Sequence, residues 1–454
     1  MKGKRAKRVL VLMLAAVMLL ATAACGGSQT GSDQKTGDTA APETQAATTT
    51  SQAASTNTGA SKTTLNVMSW WDITKSASLQ ELKEKFEEKN PDIQLDFTMI
   101  GSGYATKVLT IVAGGGNDIP DVMMLAADKL PIFASSNAVI PLDRYVSDEY
   151  RNSIYPMTLE ACKFNGQLYA VSRDVTSMVM YFNKAMFADA GVALPEEGWT
   201  VNDFLDLAKK MTKVDANGKS VQWGYYFAKF EDTLYDWILL NGGDYATPDG
   251  SKSLVNTPET KAGLQFMQDL IYKYKVCPTE AQAKQFGTAD SAPIVAGKVA
   301  MTIGGLSFSN AFDTANPKVE YAIRPLPAGT KKVTHAFVNT WTIPKGAKNP
   351  DLSWRALEFF SGREGQQIAL DTNMGLPATK EVNTDQFLAS NPDKKYLLQS
   401  LEYAVPFRTL VYGADFYTSM KKELELVWLN QKTVDEAAAA IDAAAGDILA
   451  GKTQ

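Results

Sequence analysis

The chain has 454 residues, with 45 basic and 50 acidic side chains, one histidine, three cysteines and 10% aromatic residues. This is globular composition in more chain than one core usually organises, so two domains are expected. No basic patch stands out, which argues against a nucleic-acid partner, and a single histidine excludes metal sites built on several imidazoles.

Met1–Arg8 holds Lys2, Lys4, Arg5, Lys7 and Arg8 and no acid. Val9–Leu20 is unbroken apolar chain, followed by Ala21-Thr22-Ala23-Ala24-Cys25. A basic start, a short apolar run and small residues make an export signal, too short to span a bilayer. A cysteine directly after the small residues resembles the lipobox of bacterial lipoproteins, although Thr22 stands where leucine is usual. The competing reading is a secretory signal with an incidental cysteine. Residues 1–24 are therefore expected to be removed and Cys25 to carry lipid. Without the five basic residues of the signal, 40 basic residues face 50 acidic ones. Residues 25–62 read as a tether: Gly26–Lys62 has no aromatic residue and no Val, Ile, Leu or Met, too little apolar surface to offset ordering entropy. Whether Cys162 and Cys277 pair stays open.

The body begins as alternating strands and helices. Thr64–Ser69 reads as a strand, and Ser78–Lys89 as a helix with Leu79, Leu82 and Phe86 on one face. Asn90-Pro91 ends it. Ile93, Leu95, Phe97 and Met99 alternate as a second strand, Tyr104–Ala113 forms a helix stopped by Gly114-Gly115-Gly116, and Asp121–Leu125 is a third, buried strand. This βαβαβ order implies a parallel sheet covered by helices. Trp70-Trp71-Asp72, Gly101–Tyr104 and Ala126–Lys129 follow the three strands, so all three loops meet at the carboxyl edge, where open α/β sheets bind ligands. Neighbouring side chains point apart, so one tryptophan should face ligand and the other the core, with Trp71, beside Asp72, as the outward one. Farther on, Asn183–Ala190, Val201–Thr212, Asp232–Leu240, Thr260–Tyr274, Asp415–Leu429 and Thr433–Leu449 read as helices. Thr200 or Asn202 caps the second; Thr433 and Glu436 form a capping box for the last. Asp215–Gly218 reads as a β-turn.

Catalytic motifs are missing. There is no H-E-x-x-H, no G-x-S-x-G and no P-loop around Gly297-Lys298. Gly101-x-Gly103-x-x-Thr106 lacks the third glycine of a dinucleotide fingerprint. A hydrolase with two opposed carboxylates stays open.

Several segments together carry a family resemblance. Leu168–Phe187 (LYAVSRDVTSMVMYFNKAMF) is similar to the G-x-x-Y-x-x-P…Y-Y-N-K-x-x-F segment of bacterial ABC-transporter extracellular solute-binding proteins, family 1, the maltodextrin and multiple-sugar type. Ala113–Val122, Ser136–Asp143, Leu239–Gly243, Ala296–Thr302, Ile343–Pro350 and Thr433–Ala437 match in order. The resemblance implies a two-lobed α/β fold of periplasmic-binding-protein type II, each lobe a mixed sheet flanked by helices, closing on a sugar about a hinge. It implies lobe 1 over 63–175 plus 294–329 and lobe 2 over 176–293 plus 330–454. Crossings are expected near Asp174–Ser177, Ser291–Ile294 and Ala328–Val333. No reaction, cofactor or metal is expected. The partners implied are a carbohydrate, permease subunits and a membrane held through the lipid anchor; the protein itself is expected to be a monomer on the outer face of that membrane. A secreted glycan hydrolase or lyase, or the same fold binding a polyol, glycerol-phosphate or peptide, are the alternatives.

The resemblance also carries site residues. Asp128 and Lys129 stand where relatives place an Asp–Arg pair on sugar hydroxyls, with Leu125 in place of their tryptophan. Tyr417 aligns with a stacking tryptophan, and Ser307, beside Phe308, replaces another. Flat aromatics suit sugar faces and carboxylates suit paired hydroxyls. The candidates are Trp70, Trp71, Asp72, Tyr104, Asp128, Lys129, Asp174, Asp232, Trp237, Phe308, Trp341, Tyr412 and Tyr417. For the tryptophans and Tyr412, core packing is the competing reading.

Overall fold

The computed structural model describes residues 62–228 and 231–451, apart from the side chains of residues 231 and 232. The expected export signal, Cys25 and the expected tether, up to residue 61, lie outside the described residues. In chain order the strands are β1 (Thr63–Ser69), β2 (Ile93–Met99), β3 (Val122–Ala126), β4 (Lys163–Phe164), β5 (Gln167–Leu168), β6 (Val171–Ser177), β7 (Val179–Asn183), β8 (Lys213–Val214), β9 (Ser220–Tyr226), β10 (Val299–Gly304), β11 (Tyr321–Arg324), β12 (Thr334–Thr342) and β13 (Ala404–Pro406).

They form two large sheets, one per lobe. The first runs β13-β12-β3-β1-β2, with β6 also on β12; the second runs β11-β7-β10-β9-β8. The βαβαβ reading holds: β1 pairs parallel with both β2 and β3. The alternation of β2 puts Ile93 and Leu95 inside and Gln94 and Asp96 outside, while Val122, Met123, Met124 and Leu125 of the central β3 are all buried. Leu79, Leu82 and Phe86 of the helix Ala77–Lys89 pack onto this sheet. The second sheet and its helices bury another aromatic-rich core around Phe204, Tyr225, Trp237 and Phe416.

The lobe boundaries need correction. Residues 294–329 were expected in lobe 1, yet β10 and β11 both pair with β7 of the second sheet. Residues 330–454 were expected wholly in lobe 2, yet β12 pairs with β3 and β6 of the first. The chain leaves the first sheet at Met178, between β6 and β7, and returns between β11 and β12. There is no crossing near Ser291–Ile294, because β9 and β10 are neighbours in one sheet. The third crossing instead follows β13, before the helix Gly413–Trp428 enters the second core through Phe416, Met420 and Leu424. Strand pairing, not chain proximity, decides which lobe a segment joins.

Cys162 and Cys277 are both buried and no disulfide joins them, which answers the pairing question. Burial pushes the Cys162 thiol up to about 12, so it stays protonated and inert. No helix among the described residues is long and apolar enough to cross a membrane.

Candidate functional site

The three loops expected at the carboxyl edge of the first sheet do converge there, and a buried arginine organises two of the side chains. The pairing of β6 with β12 slips between Asn339, opposite Asp174, and Thr340, opposite Ser172. Arg173 is the extra residue of this bulge, and bulges re-aim side chains beside functional sites. Its guanidinium carbon lies 4.9 Å from the Trp70 ring and 4.2 Å from the Trp71 ring. Its Nε donates to Asp174 Oδ2 at 2.5 Å, and Asn339 Nδ2 donates to the other carboxylate oxygen at 2.8 Å. Arg173 and Asp174 are only 2% and 1% exposed. A cation so deeply buried needs its counter-ion and both aromatic faces.

This corrects several expectations. Trp70 and Trp71 do not divide into a core and an outward residue: both are half-buried and both flank the same guanidinium. Their rings meet edge to face, 6.4 Å apart. Asp174 is committed to Arg173 and Asn339. Tyr104 is buried, packs edge-on against Trp70 and donates its hydroxyl to Met68 O at 2.9 Å; burial drives its phenol well above the usual range. Asp72 caps the short turn Ile73–Lys75, accepting from Thr74 Oγ1 and Thr74 N, and these bonds hold its carboxyl below the usual value. Trp237 and Trp341 are fully buried, one bonded to the Tyr225 hydroxyl and the other packed on Phe360. Phe308 stacks on buried Tyr181 within the second lobe. Each of these residues supports the fold. Tyr412 is exposed at the start of the helix Gly413–Trp428, and the Asp232 side chain lies outside the described residues.

Asp128, Lys129 and Tyr417 are brought together. A cleft of about 410 Å³ opens on the first lobe beside two of the crossing segments, lined by Ala126, Ala127, Asp128, Ala161, Thr176, Met178, Ala336–Asn339, Pro406 and Phe407. Lys129 Nζ pairs with Asp128 Oδ2 at 2.6 Å and sits 5.3 Å from the centre of the Tyr417 ring. The Tyr417 ring lies 5.8 Å from Phe407, which lies 4.8 Å from Phe337. The cleft thus has an aromatic floor, one carboxylate paired with one ammonium, and the hydrogen-bonding side chains of Thr176 and Asn339. Phe337, Phe407, Asn339 and Thr176 were not anticipated. The one signal, for Phe337 and Asn339, is their period-two placement with Trp341 on a strand, which shows its meaning only once β12 is known to begin where the chain returns from the second lobe.

Comparison with known proteins fits this arrangement. The family described as bacterial extracellular solute-binding protein matches residues 70–367. The chain belongs to that family. A maltotriose-binding protein of Pyrococcus abyssi is 22% identical over 324 residues, covering 69% of this chain and 66% of the relative. A maltooligosaccharide ABC transporter solute-binding lipoprotein of Streptococcus pneumoniae is 25% identical over 276 residues, covering 59% and 62%. Among solved structures, an ABC substrate-binding protein of Listeria monocytogenes in complex with cycloalternan superposes with a TM-score of 0.74 at 24% identity, covering 86% of this chain and 99% of that one. That likeness shows the fold: two α/β lobes with a cleft between them.

Proposed function

We propose that this solute-binding protein captures an oligosaccharide in the interlobe cleft and delivers it to the permease of an ABC importer while anchored to the membrane through Cys25. The observation that carries the ligand class is an aromatic floor, Phe337 and Phe407, backed by Tyr417 against Phe407, beside the Asp128–Lys129 ion pair. Sugar rings present an apolar face that stacks on aromatics and a rim of hydroxyls that carboxylates and amides hold. The positive charge of Lys129 is balanced by Asp128, which favours a neutral polyhydroxylated ligand over a phosphate. Relatives named for maltotriose and maltooligosaccharides support the α-glucan class, and Leu125 in place of a tryptophan favours a ligand differing from maltose in linkage or length. The family consists of binding proteins, so capture without bond cleavage is the reading it supports.

The test is thermal-shift screening of the full chain against a panel of α- and β-linked oligosaccharides, followed by calorimetry. A ligand at about 100 times its Kd adds about 2.7 kcal/mol. Asp128→Ala should abolish the shift produced by the best sugar. A panel that leaves the melting temperature unmoved, or an Asp128→Ala variant that binds like wild type, would reject the saccharide reading. For the anchor, wild type should partition with membranes and Cys25→Ala should be released or left unprocessed.

A further inference from the structure

The one histidine of the chain, His335, is fully buried at the point where β12 begins. Asp236, on the helix Glu231–Leu240 of the second lobe, is fully buried against it. Asp236 Oδ1 accepts from His335 N at 2.9 Å and from Thr334 Oγ1 at 3.2 Å. Thr334 Oγ1 also lies 2.9 Å from Met178 O. The Thr334 hydroxyl thus sits between Asp236 and Met178, at two of the three segments that cross between lobes. The other half of the pair is unfinished. The His335 Nδ1 atom lies 3.0 Å from the same Oδ1 but off the line of a hydrogen bond, and Asp236 Oδ2 and His335 Nε2 have no protein hydrogen-bond partner. Buried polar groups are nearly always satisfied, so unsatisfied ones at a moving joint call for a reason.

The imidazole also touches the cleft floor. It meets Phe337 edge-on at 5.1 Å and Phe407 at 5.7 Å, and both line the cleft. His335 pairs with Val405 of β13 in the first sheet, while Asp236 lies on the helix Glu231–Leu240, whose neighbouring residues Tyr235 and Trp237 belong to the second core. A rotation of the lobes would change the Nδ1–Asp236 geometry, and the ring packs against Phe337 and Phe407 of the cleft and Tyr235 of the second lobe.

We infer that Asp236 and His335 form a positioning pair whose side-chain hydrogen bond is completed in one lobe arrangement and broken in the other, so that a buried pair that never touches ligand sets the aromatic floor and hence the affinity. This rests on the saccharide reading for its affinity arm only.

Because the chain has a single histidine, the full-length protein gives one imidazole resonance to follow. In the free protein, Asp236→Asn should move that resonance; an unmoved resonance overturns the pair whatever the ligand. With the best oligosaccharide of the panel, saturation should move the wild-type resonance, and Asp236→Asn and His335→Phe should each weaken binding about tenfold or more. His335→Phe keeps an aromatic ring, one atom larger, and removes the nitrogens, so a merely structural histidine would leave affinity nearly unchanged. The double variant should bind no worse than either single one. Independent, additive losses, or wild-type affinity in His335→Phe, would overturn the proposal. If wild type binds no oligosaccharide but Asp236→Asn still moves the free-protein resonance, the pair stands and the saccharide reading falls.

Discussion

Arg173 does its work where almost no solvent reaches it, 2% exposed beneath two tryptophans. Its charge is tolerable because Asp174 neutralises it, Met124 Sδ meets Nη1 at 3.1 Å and two indole faces cover the plane. The tryptophan loop is therefore held in place by a cation that belongs to a strand bulge. Arg173→Met leaves Asp174 buried with Asn339 as its remaining partner, and breaking such a pair costs about 3–5 kcal/mol. Arg173→Lys should recover little of this, since an ammonium lacks the plane that two indoles can sandwich. Urea melts of the two variants test the claim, and wild-type stability in Arg173→Met would show that the guanidinium does not hold the loop. At this scale the sequence shows which residues are chemically suited to a site and not which are free to serve it. Asp174, Tyr104 and Trp237 have the right chemistry, but each is consumed by a partner contributed from a strand or helix elsewhere in the fold.

Elements with local signals were readable. Thr433 and Glu436 do form the capping box of the helix Val434–Leu449, and Thr200 caps Val201–Met211 together with Asp203. Such caps depend on residues three apart, so no tertiary knowledge is needed to see them. Close packing between elements is another matter. Gly263 lies mid-helix in Pro258–Tyr272, where alanine would ordinarily gain about 1 kcal/mol in helix propensity. A Cβ at that position would stand 2.8 Å from Ile238 Cα and 3.0 Å from Trp237 O on the helix that carries Asp236. The sign should therefore reverse. Gly263→Ala is expected to destabilise the second lobe by about 1–3 kcal/mol through overpacking, readable as a lower thermal midpoint. A stabilised variant would show that the two helices separate freely, and that Asp236 is less firmly placed than its contacts imply.

The architecture of the whole molecule is set by β12. Its register joins segments far apart in the chain, as in the bond from Thr340 Oγ1 to Leu125 O across 215 residues. Local periodicity cannot reveal such a pairing, which is why the initial parallel βαβαβ unit was legible and the assignment of residues 294–329 and 330–454 to lobes was not. The corrected path also redraws the hinge. Met178, the segment between β11 and β12, and the segment between β13 and the helix Gly413–Trp428 join the lobes, and the cleft is lined by residues from the first and third of these, Met178 and Phe407. Lobes that move about short element-terminal segments keep their own cores intact, so closure should cost little internal packing and should be driven by contacts that ligand makes to both sides at once. Asp128 lies on the first lobe and Tyr417 on the helix packed into the second, with Lys129 already reaching from one to the other. A bound oligosaccharide that stacks on Tyr417 and bonds Asp128 should hold the two lobes together. The expected outcome is a smaller radius of gyration in small-angle scattering when the full chain is saturated with its tightest oligosaccharide. Tyr417→Ala should retain part of the affinity through Asp128 and lose most of the compaction. If saturation left the radius unchanged in wild type, capture would have to proceed within a fixed cleft, and the three crossings would be linkers without a hinge.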